Sequence, residues 1–123
     1  MNSLAAIVCL VIVTLTVAQK ETYTTKWDNI DLDKILTDEK KLDSYFNCIM
    51  DQGPCEEDGA ELKRVLPEAL STGCAKCTDA QRDGLVKVIA FLFKNNPDQL
   101  KKLAVKFDPL GIFQRSRPEI INA

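Results

Sequence analysis

Cys48, Cys55, Cys74 and Cys77 stand in the middle of the chain, separated by six, eighteen and two residues. The fifth cysteine, Cys9, lies in an apolar leader of the kind a secreted protein loses. An even set in an oxidising compartment implies two disulfides, and so a small stapled domain. Four cysteines allow three pairings. Joining Cys48 to Cys55 would close a short loop over Gly53-Pro54, and joining Cys74 to Cys77 a smaller one. Chain entropy assigns about 2–2.5 kcal/mol to each such loop. Clamps of this size fasten helix junctions and do not replace a core. Two other chemistries use similar spacings. Cys74 and Cys77 form a good zinc half-site, but six residues between the other two is long for a knuckle, and the compartment favours oxidation. A C-x-x-C ahead of a helix also suits a thiol oxidoreductase, whose βαβ surroundings the sequence does not offer.

From Leu4 to Val17 the chain carries no charge. That run is shorter than the about 20 residues a membrane-spanning helix needs. Thr16-Val17-Ala18 closes it with small or modest side chains where a signal peptidase reads. Residues 1–18 therefore read as a signal peptide whose only positive charge is the amino terminus. The expected product is secreted and extracellular, with no stable membrane span. Residues 19–123 then form one domain, long enough for its own core. A formal net charge of −2 is too weak to suggest nucleic acid or an anionic membrane as partner. The chain has no histidine. This removes the usual general base, the commonest metal ligand and the usual pH switch together. Asp, Glu and Lys abound without a spacing that gathers a catalytic set, so neither an enzyme nor a bound metal or other cofactor is expected.

Apolar residues recur at helical spacing through most of the remaining chain. Asp31 is placed to cap a short helix carrying Leu32, Ile35 and Leu36. A second segment, about Asp38 to Asp51, carries Leu42, Tyr45, Phe46 and Ile49 on one face, and Gln52-Gly53-Pro54 breaks it. A third opens with Glu56, Glu57 and Asp58, as suits a helix N-terminus. It repeats the stripe in Leu62, Val65, Leu66, Ala69 and Leu70; Pro67 should kink or restart it, and Gly73 should stop it. Thr78-Asp79-Ala80-Gln81 fits a capping box. The run from Leu85 to Phe93 behind it is apolar on nearly every side, which predicts a central helix covered all round. Asn96, Pro97 and Gln99 mark a fifth start, with Leu100, Leu103, Ala104 and Phe107 as its stripe. Ile112 and Phe113 are expected to pack back as a last short turn, and residues 114–123 to form a loosely held tail. The fold class is all-α, a compact bundle of about six helices.

Several stretches resemble the insect chemosensory proteins, the OS-D-like family with its pherokine and ejaculatory bulb protein relatives. These are Tyr23-Thr24-Thr25-Lys26-Trp27-Asp28-Asn29-Ile30-Asp31, Asn47-Cys48 through Gly53-Pro54-Cys55, Glu61-Leu62-Lys63, Leu66-Pro67-Glu68-Ala69-Leu70, Cys74-Ala75-Lys76-Cys77-Thr78 and Phe107-Asp108-Pro109-Leu110-Gly111. The cysteine spacing is also that family's. The resemblance implies a six-helix bundle with disulfides Cys48–Cys55 and Cys74–Cys77. It further implies an internal apolar channel for long aliphatic alcohols, esters, fatty acids and pheromone-like semiochemicals. Trp27 stands where the family usually has Tyr, Gln99-Leu100 where it often has Trp, and the tail beyond Phe113 is longer than in many members.

The expected function is therefore a secreted carrier that binds small hydrophobic ligands reversibly, acting as a monomer. Candidate lining residues are Phe46 and Met50 on the second helix and Leu62, Val65 and Leu66 on the third. The fourth supplies Val86, Ile89 and Phe93, and the fifth Leu103 and Phe107. Tyr23, Trp27 and Tyr45 are polar-tipped aromatics expected near a mouth. Unbranched Met50 suits varied chains. The alternative is a secreted interaction or signalling protein in development, regeneration or immune response, presenting its helical surface to a receptor or other protein.

Overall fold

The computed structural model describes residues 21–118. The expected signal peptide and residues 119–123 of the expected tail lie outside the described residues. Within them run α1 Leu32–Thr37, α2 Glu39–Ile49, α3 Glu57–Ser71, α4 Asp79–Asn95, α5 Pro97–Phe107 and α6 Ile112–Ser116. No strand occurs among the described residues. The two disulfides are Cys48–Cys55 and Cys74–Cys77. The all-α, six-helix, doubly stapled architecture is thus the one the sequence and its resemblance imply.

Short polar side chains start the helices. The Asp31 carboxylate accepts from the Lys34 N–H at 3.3 Å, and Asp38 accepts from the N–H groups of Lys40 and Lys41. Thr78 and Gln81 form the capping box, each side chain accepting from the other's backbone N–H, at 3.2 and 3.0 Å. Asn96 departs from the expected pattern. Its side chain makes no cap bond and donates to Gln99 Oε1 at 3.1 Å. Pro97 has no N–H, and its fixed φ already suits the first helical position, so this start depends less on a side-chain cap.

Two helices end in left-handed residues. After α3, Gly73 has φ 64° and the Cys74 N–H reaches back to Ala69 O at 2.7 Å, a Schellman bond. After α2 the same role falls to Asp51, with φ 62°, and Gln52 N–H reaches Asn47 O at 2.8 Å. Pro67 neither stops nor restarts α3, which runs through it as one helix. Proline removes only its own N–H bond, and Leu66, Ala69 and Leu70 are buried on either side of it.

α1 packs on α2 and α4, α3 on α2, α5 and α6, and α4 on α5. Among the described residues the core has three clusters. Ile49, Leu66, Leu70, Phe107 and Phe113 form one; Leu36, Leu42 and Leu92 another; Ala69 and the second disulfide the third. Leu103 touches the first and second, and Leu85 the first and third. Phe113 is 1% exposed, and the last turn packs on α3. Gln114, Arg115 and Ser116 of the expected tail belong to α6, where Arg115 Nη1 donates to Leu110 O.

α4 is not covered all round. Only Leu92 is buried, Phe93 is 44% exposed, and the other apolar residues between Leu85 and Phe93 are half-buried. One face of α4, with Leu85, Val88, Ile89 and Leu92, borders open space, whereas Phe93 lies on another face.

Candidate ligand cavity

That space is a cavity of about 340 Å³, reached by all six helices and by residues of the 23–30 segment. Its size falls in the ~300–1,000 Å³ range of small-molecule sites. The apolar stripes of α2 and α3 form its walls. On α2 these are Leu42, Tyr45, Phe46 and Ile49; on α3, Leu62, Val65, Leu66, Ala69 and Leu70. Each stripe repeats at i, i+3 or i+4, so a single helix face meets the cavity. Leu103, Ala104 and Phe107 of α5 and Phe113 of α6 also line it.

The 23–28 segment, four of whose residues border the cavity, is tied to α3 and to the start of α4. Tyr23 N–H donates to Lys76 O at 3.0 Å, inside the loop closed by Cys74–Cys77. Its hydroxyl donates to Glu68 Oε1 at 2.8 Å. The Gln81 amide, already part of the capping box, also donates to Thr24 O at 2.8 Å and Asp28 Oδ1 at 2.9 Å. Thr78 Oγ1 donates to Asp28 Oδ2 at 3.2 Å. One helix start thus holds both α4 and the segment carrying Trp27. Lys26 Nζ sits 4.8 Å from the Trp27 ring centroid and pairs with Glu57 at 2.9 Å. On the α2 side the Tyr45 hydroxyl donates to Asp58 Oδ2. Burial, followed by the bond to a carboxylate, pushes the Tyr23 and Tyr45 phenols up to about 12. Both therefore keep their protons at neutral pH.

Below the cavity, Lys106 Nζ donates to Ile49 O at 3.0 Å and to Asp51 Oδ2 at 2.6 Å, and Lys63 also pairs with Asp51. The hydrogen bonds from Lys106 and then Lys63 lower the Asp51 carboxyl to about 2. This knot joins the end of α2 to α3 and α5.

Of the residues singled out from the sequence, Tyr23, Trp27, Tyr45, Phe46, Leu62 and Val65 border the cavity, as do Leu66, Ile89, Leu103 and Phe107. Met50, Val86 and Phe93 do not. Met50 is the C-cap of α2, past the end of its stripe, and packs against the core cluster of Ile49 and Phe107. Val86 and Phe93 lie seven residues apart and so share one face of α4, rotated by about 100° from the face of Leu85, Val88, Ile89 and Leu92. Sequence reasoning passed over Ile30, Leu32, Ile35, Leu36 and Leu42, and also Leu85, Val88, Leu92 and Phe113, all of which border the cavity. Leu42 was legible from its stripe. The others, Ile30 apart, were visible as apolar residues of helices or turns but carry no local mark of facing space. All four quartet cysteines are in disulfides, so none of them is a thiolate ligand for zinc in this structure. Among the described residues, no group of three or more His, Cys, Asp or Glu is placed to hold a metal, and no helix is long and apolar enough to cross a membrane.

The model of the insect pheromone-binding family A10/OS-D matches residues 23–115. Ejaculatory bulb-specific protein 3 of Drosophila melanogaster is 45% identical over 97 residues, covering 79% of this chain and 77% of that protein. Allergen Tha p 1 of Thaumetopoea pityocampa is 46% identical over 94 residues, 76% of this chain and 75% of that protein. Among solved structures, a chemosensory protein in complex with bromo-dodecanol superposes with a TM-score of 0.75 at 42% identity, over 77% of this chain and 95% of that one. Antennal chemosensory protein A6 of the moth Mamestra brassicae gives a TM-score of 0.65 at 39% identity, over 73% of this chain and 88% of that one.

Proposed function

The chain belongs to the A10/OS-D insect pheromone-binding family, and from that premise we propose that it is a secreted, monomeric, non-enzymatic carrier whose cavity takes up long aliphatic molecules reversibly. The observation that carries this reading is the cavity itself, walled by apolar faces of α2, α3, α4 and α5. The relative solved with bromo-dodecanol supports the ligand class. Two disulfides suit an oxidising, extracellular setting, to which a signal peptide at residues 1–18 would deliver the chain.

The physical logic is phase transfer. Each CH₂ moved from water to an apolar wall gains roughly 0.8 kcal/mol. Lost translational and rotational freedom offsets much of that sum, so affinity in the micromolar range is expected. Trp27 is the only tryptophan of the chain and borders the cavity, so its fluorescence reports occupancy. An apolar fluorescent probe should bind and be displaced by alcohols and esters of about twelve to eighteen carbons. A probe that neither binds nor is displaced up to lipid solubility overturns the reading.

The reading includes a pH prediction. The chain has no histidine. The carboxyls whose titration their surroundings move, Asp51, Glu61 and Glu68, all move down, held by Lys106, Arg64 and Tyr23 respectively. Affinity for a neutral ligand should therefore stay nearly constant between about pH 5.5 and 8. A titration of Trp27 fluorescence at both ends of that interval checks it.

A further inference from the structure

The formal net charge of −2 conceals an uneven distribution. Residues 21–96 carry fifteen Asp or Glu against ten Lys or Arg, whereas residues 97–117, which hold α5 and α6, carry five Lys or Arg against two Asp. Cavity-lining Leu103, Ala104 and Phe107 fix the inner face of α5, so Lys101, Lys102 and Val105 fall on the opposite one. All three are exposed, and neither lysine has an ion-pair partner among the described residues. Val105 and Leu110, the latter just past the helix end, are the most exposed large hydrophobic residues among those described. Arg115 donates to Leu110 O, which sets a third cation beside Leu110 without neutralising it. Asp98 lies on the same face, in the first turn, where a helix N-terminus favours negative charge. Asp108 is engaged elsewhere, bordering the cavity and accepting from the Phe113 N–H. Lys106, at the edge of the face, is committed to Asp51.

We propose that the outer face of α5, continued by Leu110 and Arg115, docks the protein on anionic lipid surfaces. The inference goes beyond the carrier reading and does not depend on what fills the cavity. Lysine and arginine heads meet lipid phosphates while their stems lie along the apolar boundary. Val105 and Leu110 enter the headgroup layer and lose the water they now face. An acidic protein would match the cations equally well. The two exposed apolar side chains favour lipid, whose interface takes them in without a complementary hollow. The acidic remainder of the molecule is repelled by the same surface, which orients the docked protein with α5 towards it. The inner face of α5 lines the cavity, so docking brings that cavity within one helix diameter, about 10 Å, of lipid.

The test is co-sedimentation of the secreted, disulfide-bonded protein with vesicles. One set is phosphatidylcholine alone, the other an equal mixture of phosphatidylcholine and phosphatidylglycerol. The protein should sediment with the mixed vesicles and not with the neutral ones, and raising salt from about 0.01 to 0.15 M should weaken binding about tenfold. Lys101→Gln/Lys102→Gln should lower the partition coefficient roughly tenfold. Lys40→Gln/Lys41→Gln removes the same charge from exposed, unpaired positions on α2 and should lower it less than about twofold. Leu110→Ser should lower it severalfold at either salt concentration. These positions are exposed, so urea midpoints should stay at the wild-type value. Absence of sedimentation with the mixed vesicles overturns the proposal, as does equal sedimentation with both kinds. Equal losses from the two lysine pairs also overturn it, by reducing the effect to net charge. Retention on polyglutamate without binding to vesicles assigns the face to an acidic protein and overturns the lipid assignment. None of these outcomes touches the carrier reading, which probe displacement tests separately.

Discussion

A Cβ at Gly59 would lie 2.9 Å from Cys48 Sγ, inside contact distance, whereas a Cβ at Gly84 would meet only the end of the Leu32 side chain at 3.0 Å. The first neighbour is fixed by a disulfide and the second can rotate. Gly59→Ala should therefore cost about 1–3 kcal/mol through overpacking, while Gly84→Ala should be neutral or gain up to about 1 kcal/mol of helix propensity. Urea midpoints at unchanged slope measure both, and equal losses would contradict the argument. Asp51 gives the second residue-level expectation. Its folded carboxyl is lowered to about 2 by Lys106 and Lys63. Its stabilisation is thus present above the ordinary carboxylate value and is lost as pH falls through about 2. Asp51→Asn, which still tolerates the left-handed φ of 62°, should flatten the stability profile between about pH 4 and 2. The pair is exposed, so salt should shrink the effect. An acid-unfolding profile identical to the wild type would show that the knot is unimportant. Nothing local in the sequence marked Asp51 as a helix terminator, because the Gly that usually fills that position is absent; the break was read from Gln52-Gly53-Pro54 instead.

At the scale of elements, the start of α4 carries two tasks. Thr78 and Gln81 cap the helix and also hold Thr24 and Asp28 beside the cavity. Thr78→Ala should cost about 1 kcal/mol as a lost cap. It should also speed amide exchange at Tyr23, whose N–H bonds Lys76 O in the adjoining disulfide loop. Lower global stability with unchanged Tyr23 exchange would separate the cap from the hold on the N-terminal segment. The capping box was legible because its four residues are contiguous; its grip on the N-terminal segment was not, since the partners lie 50 to 57 residues away. The stripes of α2 and α3 were legible for the same local reason. On α4 the periodicity is blurred by apolar residues on every side, and that blur placed Val86 and Phe93 at the cavity when Leu85, Val88 and Leu92 occupy it.

Among the described residues three core clusters lie beside the cavity, and all three contribute residues to its lining. Sequence pattern identifies which faces are apolar but not whether they meet, since a solid interior and a hollow one need the same stripes. A larger side chain on the cavity wall distinguishes them. In a filled core, Val65→Phe would cost about 1–3 kcal/mol. Beside open space it should be tolerated within about 1 kcal/mol while ligand affinity falls at least tenfold, by denaturation and displacement respectively. The central claim is the location of the ligand, and intermolecular NOEs from labelled dodecanol to methyl groups test it most directly. The account predicts contacts from the alkyl chain to Leu42, Val65, Val88 and Ile89. Contacts confined to the exposed Val105 and Leu110, at 69% and 70% accessibility, would contradict it.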